Sequence, residues 1–294
     1  MNATSTMPGV AAIILTRDEE QDLPACLESI RDIAAEVYVI DSGSTDATAE
    51  IAQKAGATVL YHPFENQAKQ FNWALDNILI QAEWVLRIDA DERLHPDLAR
   101  ELKRVIPEMP VDVTGLFVSR RIRFLGREIR FGDMYPVWLL RLWRNGVGRC
   151  EDRWMDEHIE LSEGHTLRVR GDLLHDIPKS LTEWTVKHNW YATRECTDIL
   201  SIDAGHSVEV DSGFRRRLKH SVYLRLPLFY RAFAYWLYRY IIKLGFLDGK
   251  VGLIYHFLHG FWYRFLVDAK IYEASVTAQI PRSPENAQVV NKSS

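Results

Sequence analysis

Residues 37–52 read VYVIDSGSTDATAEIA, and the fold is decided in this stretch. Val37–Ile40 is a short β-branched and aromatic run of strand character. Ser44, Thr45 and Asp46 follow, with short side chains suited to accept the free N–H groups of a helix start, and Ala47 to Ala55 has helical spacing. A strand that ends on Asp41 and feeds a capped helix is one βα unit. Working outward, Val10–Leu15, Thr58–Tyr61 and Trp84–Ile88 are further strand-like runs. Leu23, Leu27 and Ile30 mark one intervening helix, and Phe71, Leu75, Ile78 and Leu79 another. Strand–helix alternation at this spacing predicts an α/β fold, a mostly parallel sheet flanked by helices. Asp97, with Pro96 and Glu101, opens a further helix that should stop near Pro107.

Beyond residue 110 the pattern changes. Leu116–Val118, Val137–Leu142 and Leu167–Val169 are β-like, and from Ser180 onward the spacing is largely helical. Helices are expected over Glu183 to Ile199, Leu228 to Leu244 and Leu253 to Tyr272, with a turn at Gly245–Gly249. Three units follow: residues 1–205, a helical extension over 206–278, and a flexible tail over 279–294. With 47% hydrophobic residues and a net charge of only −4, disorder is excluded for most of the chain. Cys26, Cys150 and Cys196 are odd in number and far apart, so they form neither a zinc pattern nor a disulfide framework. They fit a reducing compartment, most simply the cytosol.

The opening MNATSTMPGV has no basic and apolar leader pattern. No run reaches the roughly 18 uncharged apolar residues of a spanning helix, since Arg231, Arg239 and Lys243 interrupt Leu226 to Leu244. The charge is unevenly spread, however. Residues 212–270 hold 11 Lys/Arg against 2 Asp/Glu, together with 16 of the 33 aromatic residues. Such a segment suits an anionic surface, and a bilayer supplies one. Arg231, Tyr235, Arg239 and Lys243 recur every four residues, as for cations reaching lipid phosphates from a helix lying on the membrane, helped by Arg215, Arg216, Arg217 and Lys219 upstream. Packing on the main domain or on a second subunit is the plain alternative. Nucleic acid is not expected as a partner, because the aromatic residues lie in helical apolar faces.

In open parallel sheets ligands sit outside the carboxyl ends of the strands. Here the first strand runs into Thr16-Arg17-Asp18-Glu19, the second into Asp41-Ser42-Gly43-Ser44, and the fourth into Asp89-Ala90-Asp91-Glu92. Asp89 and Asp91 place two carboxylates on one side of an extended segment, within reach of a hard cation such as Mg2+ or Mn2+. A solvated turn or helix cap is the bland alternative for that pair. Asp41 suits either a base or ribose contact or the capping of its own turn. No G-x-G-x-x-G follows the first strand and no G-x-x-x-x-G-K-[ST] occurs, which removes dinucleotide oxidoreductases and P-loop enzymes.

The runs AAIILTRDEEQDLPACLESI, VYVIDSGSTDATAEIA, QAKQFNWAL and WVLRIDADE, in that order, resemble the inverting family-2 glycosyltransferases of GT-A fold. The branch resembled is that of lipopolysaccharide-core and capsule glucosyltransferases. The likeness is dense over residues 9–110 and thinner to about residue 190. It implies a nucleotide-diphospho-sugar donor, a divalent metal at the D-x-D, and inversion at the anomeric carbon. By position it implies donor contacts from Thr16, Arg17, Glu19, Asp41, Lys69 and Asp89, and metal ligation by Asp91 with Asp89. Arg17-Asp18 stands where many relatives carry an Asn. Relatives often read V-H-E where this chain has Met155-Asp156-Glu157, which makes Glu157 the expected base and Asp156 its substitute. His175 lies where relatives frequently carry a histidine near metal or diphosphate. Arg141 and Arg144 are candidate phosphate contacts.

The reading is therefore a metal-dependent glycosyltransferase, a GT-A domain followed by a basic aromatic helical extension. It would act on a glycan or lipid-linked acceptor at the inner face of the cell membrane, in cell-envelope polysaccharide or lipopolysaccharide synthesis. A catalytically silent membrane scaffold is the alternative. A nucleotidyltransferase is disfavoured because TRDEEQ is the reverse of a glycine-rich basic loop.

Overall fold

The computed structural model describes residues 9–151, 158–177, 180–203 and 226–279. The first half alternates as its sequence predicts: β1 (Val10–Thr16), α1 (Leu23–Ile30), β2 (Ala34–Asp41), α2 (Thr48–Lys54), β3 (Thr58–Tyr61), α3 (Gln67–Asn77) and β4 (Trp84–Arg87). Caps explain where the helices start. Asp46 accepts the Thr48 N–H at 2.9 Å ahead of α2, and Asn66 accepts the Lys69 N–H at 2.7 Å ahead of α3. After β4 come β5 (Glu92–Leu94) and α4 (Pro96–Val105), which closes in a 3-10 turn at Ile106–Glu108 that contains Pro107. Strands β6 (Val113–Phe124), β7 (Arg127–Ile129), β8 (Val137–Arg144), β9 (Gly148–Cys150), β10 (Ile159–Leu161) and β11 (His165–Asp176) follow. The long α5 spans Leu181–Asp203.

The main sheet has the order β3-β2-β1-β4-β8-β6-β11-β5, with β7 added on β6, while β9 and β10 form a separate pair. Strands β3, β2, β1 and β4 are parallel, β8 is antiparallel to β4 and β6, and β11 is parallel to β6. One face buries Ala12, Ile14, Leu86 and Val118 against α1 and α4. The other buries Ala11, Ile13, Val85 and Trp143 against Phe71 and Ala74 of α3. The α/β expectation is met, and the later strands make the sheet mixed.

The C-terminal layer comprises α6 (Tyr230–Leu237), α7 (Gly249–Tyr255) and α8 (Tyr263–Gln279), joined through wide π turns at Tyr238–Ile242 and His256–Trp262. It is docked rather than tethered: Ile122, Phe124 and Ile129 of the sheet share one core with Trp184 and Tyr255. The boundary expected at 205/206 and the Arg215–Lys219 cluster lie outside the described residues, as does the tail beyond Gln279.

The expected outward cations are corrected here. Arg231 is 3% exposed and pairs with Asp268, its Nε donating to Oδ1 at 2.7 Å. Arg239 is 6% exposed and donates to the Gly132 carbonyl at 2.7 Å and to the Tyr235 hydroxyl at 2.9 Å. The helical period did place these residues on one side, but a buried carboxylate and a loop carbonyl turn that side inward. Tyr230, Phe233, Ile241, Ile242 and Phe257 are the exposed face instead.

Histidines tie α5 to this layer. His188 stacks on Trp184 with ring centroids 3.5 Å apart, and His259 lies 6.1 Å away. Burial pushes His188 down to about 4, and burial with the nearby Arg239 and Arg264 charges holds His259 well below its usual range. Both are neutral in the fold and take up protons near 6.5 when unfolded, so stability should be full above pH 6.5 and lost as pH falls toward 4. Urea unfolding between pH 7 and 4.5 should show this decline, and His259→Phe should flatten it; equal slopes would overturn the assignment.

Candidate active site

The carboxyl ends of β1, β2 and β4 meet at one edge of the sheet. Thr16 and Asp41, paired residues of β1 and β2, join through the Thr16 hydroxyl, which donates to Asp41 Oδ1 at 3.2 Å. Asp41 also accepts the Gly43 and Ser44 N–H groups, each at 2.9 Å, and the Ser44 hydroxyl at 2.5 Å. At 6% exposure this carboxylate holds the β2–α2 turn in place. Turn-capping, weighed from sequence as the plainer role, is the one its bonds display. The loop after β1 is stapled to that turn, since Asp18 accepts the Thr45 N–H at 2.7 Å and Thr48 accepts the Glu19 N–H at 2.7 Å. Arg17 is exposed beside it.

Between β4 and β5 the chain turns tightly, the Glu92 N–H donating to the Asp89 carbonyl at 2.9 Å and the Asp89 N–H to Glu92 Oε2 at 3.2 Å. Arg141 closes this turn from β8. Its Nη2 lies 3.1 Å from Asp89 Oδ2 and 2.6 Å from Glu92 Oε1, and Glu92 is wholly buried. Burial works against the Asp89 anion, but Arg141 and Arg87 prevail and hold its carboxyl well below the usual range. Glu92 moves the other way, raised by burial and by the Asp89 charge. Asp89 is thus paired with Arg141, and Arg141 with two carboxylates.

Asp91 faces a cleft of about 250 Å³, lined among the described residues by eight carboxylates and one ammonium, Lys187 of α5. Its Oδ1 lies 3.4 Å from His175 Nδ1 and its Oδ2 lies 3.9 Å from Lys187 Nζ. These cations outweigh burial and lower the Asp91 carboxyl, while Asp91 raises His175 against its own burial. Glu19 faces the same cleft, and burial together with Asp91 pushes it up to about 7. His175 Nδ1 is buried without a well-formed hydrogen bond, so a nitrogen donor stands directly behind the Asp91 carboxylate that lines the cleft. That pair fits a hard divalent ion completed by phosphate oxygens and water. No set of three or more His, Cys, Asp or Glu closes around one point among the described residues.

Lys69 sits on the first turn of α3, paired with Glu65 at 2.7 Å. Gln70 beside it donates to the Ile40 carbonyl at 3.3 Å and so keeps that helix end at the tip of β2. Asn72, on the next turn position, donates to the Cys150 carbonyl at 2.7 Å and accepts the Cys150 N–H at 2.9 Å. Asp156 and Glu157 lie outside the described residues, in the segment between β9 and β10. Arg144 is removed from the site. The antiparallel register sets it opposite Trp84, at the far end of β4, where it bonds Glu83 and the carbonyls of Val113 and Pro110. Glu92 and Lys187 were missed. Glu92 adjoins the D-x-D and a buried carboxylate beside a strand end was a usable signal, whereas Lys187 arrives from a helix nearly a hundred residues later and had none.

Arg141→Met should cost about 3–5 kcal/mol in urea unfolding, because the buried Glu92 carboxylate and the half-buried Asp89 lose their cation. Adding Glu92→Met should recover most of that loss, and failure to recover would contradict the triad.

Residues 11–146 match the family model described as Glycosyl transferase family 2. The lipopolysaccharide core biosynthesis glycosyltransferase LpsC of Rhizobium meliloti is 30% identical over 274 residues, which cover 90% of this chain and 92% of that protein. An uncharacterized glycosyltransferase of Rickettsia conorii is 38% identical over 96 residues, 33% of each chain. Among solved structures, glucosyl-3-phosphoglycerate synthase from Mycobacterium tuberculosis, in complex with Mn2+ and uridine-diphosphate-glucose, superposes with a TM-score of 0.32 at 20% identity, over 39% of this chain and 44% of that one. Likeness that runs through nine-tenths of two whole chains is more than a shared segment: this chain belongs to glycosyl transferase family 2 and is a glycosyltransferase.

Proposed function

We propose that the chain moves a sugar, with inversion, from a nucleotide-diphospho-sugar to a glycan or lipid-linked acceptor of the cell envelope, in lipopolysaccharide or related polysaccharide synthesis. The observation that carries this reading is the cleft at the ends of β1, β2 and β4, where Asp91, Glu19 and Lys187 converge with His175 behind Asp91. Thr16, Arg17 and Asp41 lie where a nucleoside would rest, on the two stapled loops. Lys69 stands at the rim of the same edge. Asp91 and His175 would hold Mg2+ or Mn2+, with Asp89 fixing the turn behind them. When bound, that ion neutralises charge growing on the leaving diphosphate.

In this reading Glu157, with Asp156 next to it, takes the proton of the acceptor hydroxyl. The freed oxygen pair bonds the anomeric carbon from the face opposite the diphosphate, and the carbon–oxygen bond to the phosphate breaks with its electrons leaving on the diphosphate. Lys187 adds positive charge on the leaving side. Thermal shift with UDP, GDP and dTDP, each with and without Mn2+, should show a metal-dependent stabilisation by one of them. Glu157→Gln should keep that shift and lose transfer by about 100-fold or more. A silent variant that also loses the shift, or no shift in the folded wild type, would sink the reading in favour of a scaffold.

The same reading places the enzyme on the inner face of the cell membrane. No helix among the described residues is long and apolar enough to cross one. What supports peripheral contact is the outward face of α6 and the following turn, where Ile242 is 67% exposed and Phe233 is 49% exposed, with Lys243 beside them. Because the arginines of this layer are spent internally, attachment should depend on apolar insertion more than on charge. Binding to phosphatidylethanolamine–phosphatidylglycerol vesicles should fall about tenfold in Ile242→Glu/Phe257→Glu and change little between 0.1 and 0.5 M salt. Binding that vanishes with salt and ignores the substitutions would contradict it.

A further inference from the structure

A second hollow, of about 280 Å³, opens on the other half of the sheet, over β8, β6 and β11. Its floor is set by register: Ser119 of β6 lies opposite Trp138 of β8 on one side and Asp172 of β11 on the other. A break in β11 makes the space. Between Arg168, opposite Phe117, and Asp172, opposite Ser119, β11 spends two residues more than β6. At the bulge Gly171 has φ +93, and a Cβ there would fall 2.6 Å from the Leu98 backbone, so the strand is pressed onto α4 and only glycine fits. Arg168 and Arg170 both line the hollow as a result.

The lining has a definite chemistry. Trp138 is half-buried, with the Arg168 guanidinium 4.8 Å from its ring centroid. The Tyr135 hydroxyl donates to Asp172 Oδ1 at 3.0 Å, which fixes both polar groups at the hollow's edge. Ser119 is 3% exposed, and its hydroxyl finds no partner among the described residues. A buried hydroxyl left so has given up its water without a replacement, and a ligand hydroxyl would supply one. Aromatic face, fixed hydroxyl and carboxylate, and two guanidinium groups at the rim are what a charged sugar ring requires.

The position agrees. Ser119 and Gly115 share one face of β6, and a Cβ on Gly115 would meet Leu161 of β10 at 2.5 Å. The hollow therefore lies on the face from which the β9–β10 segment leaves, the segment that holds Asp156 and Glu157. The hollow and the acidic cleft share no lining residue, Asp172 of β11 belonging to the first and Asp176 to the second, so they are separate.

We propose that this hollow binds a pyranose carrying a carboxylate or phosphate, as part of the acceptor glycan, with the ring on Trp138 and the anion on Arg168 and Arg170. The proposal rests on the glycosyl-transfer reading above. It is tested by saturation-transfer NMR on the full chain, in saturating UDP and Mn2+, with glucuronate, glucose 6-phosphate and glucose as probes. One or both charged sugars should bind about tenfold better than glucose, and which one does so tells carboxylate from phosphate. Arg168→Gln/Arg170→Gln should reduce the charged sugars to the glucose level, and Trp138→Phe should keep binding that Trp138→Ala loses. Equal signals from all three sugars, no signal from any, or no change in the arginine variant would overturn the proposal. Thermal shift with nucleoside diphosphates should be the same in wild type and variants. Sugar binding in a wild type that shows no such shift would instead strike the donor reading and leave the hollow standing as a saccharide site.

Discussion

Arg141, itself buried, holds the wholly buried carboxylate of Glu92 and the partly exposed one of Asp89 at the point where the parallel and antiparallel halves of the sheet join. Its place comes from a break in strand pairing: Leu142 lies opposite Leu116 and Leu140 opposite Phe117, so Arg141 is the extra residue of a bulge and leaves the ladder. That freedom lets its guanidinium reach both ends of the Asp89–Glu92 turn. The turn in turn sends β5 to the far side of β11, where it pairs antiparallel through Leu94 and Leu173. Without a cation inside the turn, the buried Glu92 carboxylate would face the Asp89 anion with nothing to offset its loss of water. Asp91 points into the cleft because its neighbours on both sides are fixed this way. The acidic motif is thus half architecture and half chemistry.

The C-terminal layer obeys the same rule of satisfied charge, with the opposite outcome for its surface. Arg231 and Arg239 are drawn inward by Asp268 and by the Gly132 carbonyl. Asp248 accepts the Arg130 N–H at 3.2 Å and the Phe131 N–H at 3.0 Å, which seats the layer on the loop after β7. With its polar groups used internally, the layer is left to present aromatic and aliphatic side chains outward. Helix α5 joins the two regions, Trp184 and Ala192 packing into the layer while Lys187 reaches the cleft.

The parallel half of the fold was legible because each of its elements carries its own signal. Val37–Ile40 alternates with Ala47–Ala55 at a local scale, and Asp46 and Pro96 announce two of the helix starts. What could not be read was pairing at long range. The helical period correctly grouped Arg231 with Arg239, but only their partners decide which way such a group faces. Arg141 and Arg144 looked alike in LLRLWRNG, yet three residues along an antiparallel strand separate the two ends of the sheet. Asp41, Asp89 and Asp91 were visible as acidic strand ends. The bonds that occupy Asp41 and Asp89, and the neighbours His175 and Lys187 that flank Asp91, come from segments 25 to 96 residues away or from short turns invisible to composition.

The root of the β9–β10 segment has one further property. Asn72 grips Cys150 through two hydrogen bonds, and Glu151 donates its N–H to the His158 carbonyl at 2.8 Å, so the segment leaves and re-enters the fold through one closed gate. A loop pinned in this manner can be lengthened or exchanged without disturbing what lies beneath it, since doubling its length adds only about 0.6 kcal/mol of closure entropy. The gate thus separates the length of chain between Glu151 and His158 from the strands beneath it, which keep their pairing whatever that length is.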